Sequence, residues 1–442
     1  AKLVSGEWTG TMNLTEPEAG SDVGALRTKA VPNDDGSWAI TGSKIYISWG
    51  DHDMAENVIH LVLARTPDAP PGTKGISCFV VPKIMVNDDG SLGEPNDLKV
   101  VSVEHKMGIN ASPTCTMSFG DEGGATGWLL GNEFDGMRVM FVMMNMARLS
   151  VGVQGLGLAE RTLQGALSYA NERVQGKVVG TPKEDRTSPI VGHPDVRRML
   201  LDMRSLTEAM RGICLMNAVA MDRAGSLADE DARQAAEDLN ELLIPITKAW
   251  CTDMGVEVTS LAIQVYGGMG FVEETGVSQF FRDARIAPIY EGTNGIQAMD
   301  LVGRKLPMRS GGVVTDTIAD IRATAAALSA DDELAGIGAR LAEATDALDE
   351  ATQWIFGHAG EIRDVLAGAT PYLRMWGLVV GGWVLGKSAL AAAEWAADDG
   401  PADFCAEKVR TARWFADQHL STVVGLTARA TSGASLMDEA SL

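Results

Sequence analysis

Arg282-Asp283-Ala284-Arg285-Ile286-Ala287-Pro288-Ile289-Tyr290-Glu291-Gly292-Thr293-Asn294-Gly295-Ile296-Gln297 sets one carboxylate between an aromatic residue and a glycine, on a loop that runs into a helix. Held in an apolar pocket, such a carboxyl has its pKa raised toward neutrality, as a general base requires. The alternative is a surface acid at a helix start, where negative charge suits the helix dipole. Two further stretches bear on the choice. Met12-Asn13-Leu14-Thr15-Glu16-Pro17-Glu18-Ala19-Gly20-Ser21-Asp22 follows a strand end and offers hydroxyls and backbone N–H groups beside a glycine. It also reads as an ordinary polar turn. Gln264-Val265-Tyr266-Gly267-Gly268-Met269-Gly270-Phe271 closes a helix with glycines, which either admit a cofactor or merely end the helix.

The texture around these motifs changes twice. Up to about residue 125, short β-type runs (Trp38–Gly42, Val58–Ala64, Ile76–Val81) alternate with the turns Asn33–Gly36 and Asn87–Gly90, which predicts a β-barrel or sandwich. Beyond it the period becomes helical. Met137, Met140, Phe141 and Met144 start a helix toward Arg173, and the five methionines up to Met146 read as adaptable core packing. Helices are expected over 194–224 and 232–266, with Pro245 marking a kink or break. After Gly311-Gly312 an Ala-rich tail predicts a four-helix bundle over 318–328, 334–356, 362–395 and 404–428, with Trp354, Tyr372, Trp376, Trp383, Trp395 and Trp414 in its core. The expected organisation is therefore an α+β multidomain chain. A β-barrel or sandwich domain occupies 1–125, an α-helical bundle 126–305, and a second C-terminal helical bundle 306–442.

Bulk composition excludes some classes. A length of 442 residues exceeds one compact core, and the formal charge of −22 argues against a nucleic-acid partner. Cys78, Cys115, Cys214, Cys251 and Cys405 are scattered without a C-x-x-C pair, and the six histidines without H-x-x-x-H, so no metal is expected and a reducing, cytoplasmic location is. No run reads as a membrane span; the nearest, from Met375 to Leu385, is closed by Gly386 and Lys387. The chain opens almost on top of a motif, which suggests an incomplete sequence.

Together the three motifs resemble the acyl-CoA dehydrogenase family in order and approximate spacing, over about residues 1–305. The Ala-rich tail, Asn294, and Arg173-Val174-Gln175-Gly176 look like the branch containing 3-methylmercaptopropionyl-CoA dehydrogenase and broad-specificity bacterial relatives. The resemblance implies FAD as cofactor, an acyl-CoA thioester as substrate (3-methylmercaptopropionyl-CoA or a medium or long fatty acyl-CoA), a trans-2-enoyl-CoA product and an electron-transfer flavoprotein as acceptor. It also implies a homodimer or dimer of dimers, and an N-terminal helical domain not present in this sequence. Leu14, Thr15, Gly20 and Ser21 are implied to line the isoalloxazine, with Ser21 also touching the acyl-CoA. Tyr46 and Ser48 match a strand at the flavin. Arg173 matches an arginine that reaches the pyrophosphate of a neighbouring subunit, although the aromatic that usually follows it is absent. Gln264, Gly267 and Gly268 match adenine-side contacts and Thr293 a further flavin contact. Glu291 matches the base and Gly292 its substrate-contacting neighbour. Arg148 matches an arginine near the acyl pocket, with Asn145 standing where an acidic partner is usual. The rival readings are an acyl-CoA oxidase on the same scaffold and a non-catalytic partner subunit.

Overall fold

The computed structural model describes residues 1–180 and 188–441. They form two compact units, Ala1–Met146 and Ala147–Leu442.

In the first unit a short helix, α1 (Lys2–Ser5), precedes ten strands. These are β1 (Thr9–Asn13), β2 (Lys29–Pro32), β3 (Trp38–Ser48), β4 (Val58–Ala64), β5 (Ser77–Pro82), β6 (Ile84–Val86), β7 (Leu92–Pro95), β8 (Leu98–Val103), β9 (Thr114–Phe119) and β10 (Ala125–Leu129). The sheet runs β1-β4-β5-β10-β3-β9-β8, with β2 also on β3, while β6 and β7 pair separately. Only β1–β4 is parallel among these pairings. The expected runs appear as β3, β4 and β5, and both expected turns join hairpins. Strand β3 is the hinge of the arrangement. Its first residues pair with β2 and β10, and from Gly42 onward it pairs with β9, bending at a bulge between Lys44 and Ile47. A strand that changes partners along its length makes the corner of a sandwich, here closed over Ile40, Val62, Phe79, Met117 and Phe119.

A buried ion pair fastens the loop after β1 to this corner. Glu16 and Lys44 are both buried, with Lys44 Nζ 2.8 Å from Glu16 Oε1, and the same ammonium donates to the Leu14 carbonyl at 3.1 Å. Glu16 also accepts from the Arg27 and Thr28 N–H groups and from the Thr28 hydroxyl. Burial alone would raise its pKa, but the Lys44 charge and these donors together hold it below the usual carboxylate value.

Helix α2 (Gly136–Glu172) begins in the first unit, where Met140 is buried and Met137, Met143 and Met144 pack beside it, while Met146 is exposed. The second unit continues with α3 (Pro194–Ser226), α4 (Glu230–Tyr266), α5 (Val277–Ala284), α6 (Asn294–Asp300), α7 (Gly312–Ser329), α8 (Ala335–Gly357), α9 (Ile362–Ala397), α10 (Ala402–Gln418), α11 (Val423–Thr431) and α12 (Ser435–Glu439). The break that Pro245 could mark does not occur, for α4 runs on through it. An internal proline costs about 3 kcal/mol, whereas each of the fully buried neighbours Leu242, Leu243, Ile244 and Ile246 gains roughly 1.5–3 kcal/mol on burial, so packing wins.

The expected fourth tail helix is instead two, α10 and α11, separated by a tight turn at Leu420–Thr422. There Ser421 and Thr422 bond back to the Asp417 and His419 carbonyls, competing with the helical ladder. Tyr372, Trp376 and Trp383 fill the core as expected, Trp354 packs partly buried against it, and Trp414 is half-buried and donates to Asp202. Trp395 does not join them: it is 51% exposed and lies edge-on to Phe404.

One apolar cluster runs from Leu156 to Ala430, so the helices after residue 306 share a core with those before it. Helix α9 lies at its centre, and glycines let it approach closely. A Cβ on Gly377 would fall 2.1 Å from Trp250 Cγ, and one on Gly368 1.9 Å from the Ala430 carbonyl oxygen. By length and composition α2 and α9 are each long and apolar enough to cross a membrane, two more than the sequence reading recognised. The apolar window of α9 is 78% buried among protein side chains, as in a core helix.

Two outcomes follow from this packing. Lys44→Met leaves the Glu16 carboxylate buried without a cation and should destabilise the protein by about 3–5 kcal/mol; an unchanged urea midpoint would show that Glu16 does not depend on Lys44. Gly377→Ala drives a methyl group into Trp250 and should cost about 1–3 kcal/mol, read in the same unfolding experiment. Tolerance of alanine there would refute the close approach of α9 to α4.

Candidate active site

The turn carrying Glu291 is built between α5 and α6. Tyr290 N–H bonds to the Ile286 carbonyl at 3.1 Å, and Asn294 N–H to the Pro288 carbonyl at 3.0 Å. The Thr293 hydroxyl then caps α6 by accepting from the Ile296 N–H. Between them the chain takes two left-handed steps, Glu291 at φ 56° and Gly292 at φ 81°. Gly292 suits that conformation, and a Cβ there would lie 2.7 Å from Gln297 Nε2. Glu291 has no such freedom, so its conformation stores strain of order 1–3 kcal/mol that the surroundings must hold.

They hold it through the carbonyls. Fully buried Gln297 donates to the Glu291 carbonyl at 3.3 Å and to the Gly292 carbonyl at 3.2 Å. Lys248 on α4, also fully buried, donates to the Gly292 carbonyl at 2.8 Å. Tyr290 OH is bonded to Gln154 on α2. The Glu291 and Gly292 N–H groups meet no acceptor among the described residues, giving two successive donors on one turn.

The charges around the turn are mostly buried and mutually compensating. Burial raises the Glu291 pKa above the usual carboxylate value, opposed by Arg148 and then Lys248. Arg148 Nη1 lies 3.2 Å from Asp300 Oδ2, with both side chains almost wholly buried, and Asp300 also binds Arg304 at 2.5 Å. The carboxylate that balances Arg148 thus comes from the end of α6. Burial lowers the Lys248 pKa to about 8, opposed by Asp253 and Glu291. Asn294 joins these groups: its Oδ1 accepts from Lys248 at 2.9 Å, and its Nδ2 donates to Asp253 at 2.7 Å and to the Ala249 carbonyl at 3.1 Å. Sequence reading noted Asn294 but missed Lys248, Asp253, Gln297 and Asp300. For Gln297 and Asp300 a signal existed, since they follow Thr293 at four and seven residues and so share a face of α6. Lys248 and Asp253 sit inside an unremarkable amphipathic stretch.

The other expected site residues fall into two further groups. In the first unit, Thr15 C=O accepts from Ile45 N–H at 2.9 Å, which brings Leu14 and Thr15 beside Tyr46 on the bulged corner of β3. Gly20, Ser21, Tyr46 and Ser48 are exposed there, and Tyr46 itself is left-handed at φ 62°. A Cβ on Gly20 would meet no atom of the chain within 4 Å. Exposed hydroxyls and an open glycine at a sheet corner are the donor set a flavin ring edge and its side chain need, so these residues fit FAD.

In the second unit, Arg173 follows the end of α2 and is exposed, while Gln264, Gly267 and Gly268 lie at the end of α4. The two helix ends are joined by Tyr169 stacked on Tyr266 at 4.2 Å. Gly267 (φ 60°) turns the chain, and Gly270 passes against the Ile263 carbonyl; Gly268 has neither constraint. An exposed guanidinium beside open glycines suits a diphosphate and a purine ring. This group is not gathered with Glu291: from Gln154 to Arg173, α2 rises about 28 Å at 1.5 Å per residue. Asn145 is half-buried on the same helix. All five cysteines are free and buried, Cys214 and Cys251 with sulfurs 4.0 Å apart, and no metal-holding cluster occurs among the described residues.

Comparison with known proteins gives a consistent result. The chain matches the acyl-CoA dehydrogenase middle domain over residues 11–121, the acyl-CoA dehydrogenase C-terminal domain over 135–306, and an acetyl-CoA dehydrogenase C-terminal-like domain over 317–439. It is 50% identical over 422 residues to a 3-methylmercaptopropionyl-CoA dehydrogenase of Ruegeria pomeroyi, covering 95% of this chain and 71% of that one. It is 40% identical over 427 residues to a butyryl-CoA dehydrogenase of Syntrophomonas wolfei, covering 94% and 69%. The crystal structure of an acyl-CoA dehydrogenase complexed with FAD from Bacillus anthracis superimposes with a TM-score of 0.73 at 21% identity, covering 95% of this chain and 68% of that one. The chain therefore spans about seven tenths of each of these relatives, and it belongs to the acyl-CoA dehydrogenase family of FAD-dependent oxidoreductases.

Proposed function

We propose that Glu291 is the base that removes the α-proton of an acyl-CoA thioester, and that the whole protein converts a short acyl-CoA, 3-methylmercaptopropionyl-CoA foremost, to its trans-2-enoyl product. The observation that carries the first part is the turn itself: a carboxylate with a raised pKa stands beside two backbone N–H groups that have no acceptor among the described residues. A carboxylate displaced from its low ordinary pKa is a stronger base, and N–H donors near it favour the negative charge that develops on a thioester oxygen. Bound FAD supplies the hydride acceptor for the β-carbon. Within the chain, Glu291 takes the proton, Gly292 lets the backbone face the substrate, and Arg148 and Lys248 oppose the cost of the buried charge. The substrate assignment rests on the relative that is 50% identical.

In the first unit Thr15, Gly20, Ser21, Tyr46 and Ser48 are proposed to hold the flavin ring, with Leu14 as a further contact. Arg173, Gln264, Gly267 and Gly268 are proposed to serve the flavin of a second copy. The distance along α2 favours that reading, and with it a homodimer or dimer of dimers. An electron-transfer flavoprotein is the proposed acceptor, and the free buried thiols suit the reducing bacterial cytoplasm.

The test is an anaerobic titration of the purified flavoprotein with butyryl-CoA, longer straight-chain thioesters and 3-methylmercaptopropionyl-CoA, following the visible flavin band. Bleaching is expected, fastest with the sulfur-containing thioester, and Glu291→Gln should slow it by at least about 100-fold. A variant that bleaches as fast as the parent would remove Glu291 from the mechanism.

The pH dependence has a definite sign. The ionised form of Glu291 is the active one, so reductive rate should rise with pH along a limb whose midpoint lies above the ordinary 4.5. A midpoint at or below that value would contradict a buried base.

A further inference from the structure

The turn bearing Glu291 is held by side chains of α4 and α6 that bond its carbonyls. Every peptide bond here is trans, so the C=O and N–H of each peptide group point in opposite directions. Gln297 binds the Glu291 carbonyl, which aims the Gly292 N–H the other way. The Gly292 carbonyl receives two donors, Lys248 at 2.8 Å and Gln297 at 3.2 Å, which occupies both of its lone pairs. Lys248 is in turn fixed by Asn294 Oδ1 at 2.9 Å. Asn294 is anchored to one face of α4, through Asp253, Ala249 and Thr252. The clamp therefore joins the middle of a long core helix to the two left-handed residues of the turn.

We propose that Lys248 is a positioning residue for proton abstraction: clamped with Asn294, it pins the Gly292 carbonyl, keeps the Glu291–Gly292 turn left-handed, and so keeps the carboxylate and its neighbouring N–H groups in register. This rests on the reading of Glu291 as the base.

Lys248 suits the task chemically. Two acceptors face its nitrogen, and both the ammonium and the neutral amine can donate to two, so the clamp survives titration of the lysine near pH 8. Its charge also acts on Glu291. Among the described residues the charged groups facing Glu291 are Arg148 on α2 and Lys248 on α4, both of which lower its pKa, and the neighbouring Tyr290 hydroxyl also feels the Glu291 charge. Arg148 is itself faced by Asp300, Arg304, Glu291 and Glu241, and Lys248 by Asp253, Glu291 and Arg148. Removing Lys248 should therefore both loosen the turn and move the Glu291 titration upward.

The experiment uses the full flavoprotein. Glu291 is titrated by carbon-13 NMR of carboxyl-labelled glutamate, its signal identified by its loss in Glu291→Gln. In parallel, anaerobic flavin reduction is timed with 3-methylmercaptopropionyl-CoA and with butyryl-CoA. Lys248→Met is expected to move the Glu291 midpoint up and to slow reduction per bound flavin by about tenfold or more at neutral pH, with KM little changed. In Lys248→Ala, added methylammonium should restore both. Should Lys248→Met fail to fold, Asn294→Ala, which leaves the lysine in place with one acceptor, should slow reduction per flavin without raising KM. An unchanged Glu291 midpoint and unchanged rate per flavin, with only the yield of folded protein reduced, would overturn the proposal. Fast reduction by Glu291→Gln would instead remove the base assignment, and the NMR midpoint would still report whether Lys248 acts on Glu291.

Discussion

A carboxylate, a guanidinium and an ammonium lie largely out of water around one strained turn, and the second unit is organised to make that tolerable. Each charge alone would cost several kcal/mol to bury, against a net stability of about 5–15 kcal/mol for a whole domain. The structure answers the two cations with carboxylates, one from another helix and one from the same helix. Asp300 at the end of α6 meets Arg148 on α2, and Asp253 on α4 is joined through Asn294 to Lys248. Among the described residues Glu291 has no direct hydrogen-bonded cation, and burial dominates its pKa. That is the state the proposed base needs: charged, yet poorly enough compensated to take a proton.

The same requirement gives the tail a mechanical meaning. Nothing after residue 306 has the look of chemistry, but α9 presses Gly377 against Trp250, two residues from Lys248 on α4. Close packing of this kind transmits little slack. The helix that grips the turn bearing Glu291 is thus backed by the shared core that runs on to Ala430. In the first unit, the Lys44–Glu16 pair does comparable work by a different means, tying an exposed polar loop to the corner strand while leaving Gly20 and Ser21 accessible.

Much of this was legible in order along the chain. Alternation and turn chemistry located the strands β3 to β5, helical periodicity located α2 to α4, and the three motifs named the family, because these signals are local and repeat with the period of the backbone. Where sequence reading failed, distant packing had overridden a local rule. Pro245 breaks helices in isolation, but not one buried on both sides; Trp395 looks like core, but its helix turns it outward. The absence of an acid three residues before Arg148 pointed to a changed charge balance, and Asp300, 152 residues away, supplies it.

The amino-acid order by itself determined the element types, the family and the candidate base, since each rests on a short stretch whose chemistry is written in neighbouring residues. Tertiary structure alone decided what holds the Glu291 turn. Lys248 lies more than forty residues before Gly292 and Asn294 along the chain and becomes their partner only when α4 packs against the turn and the start of α6, because a hydrogen bond to a carbonyl depends on position in space and leaves no periodic trace in sequence.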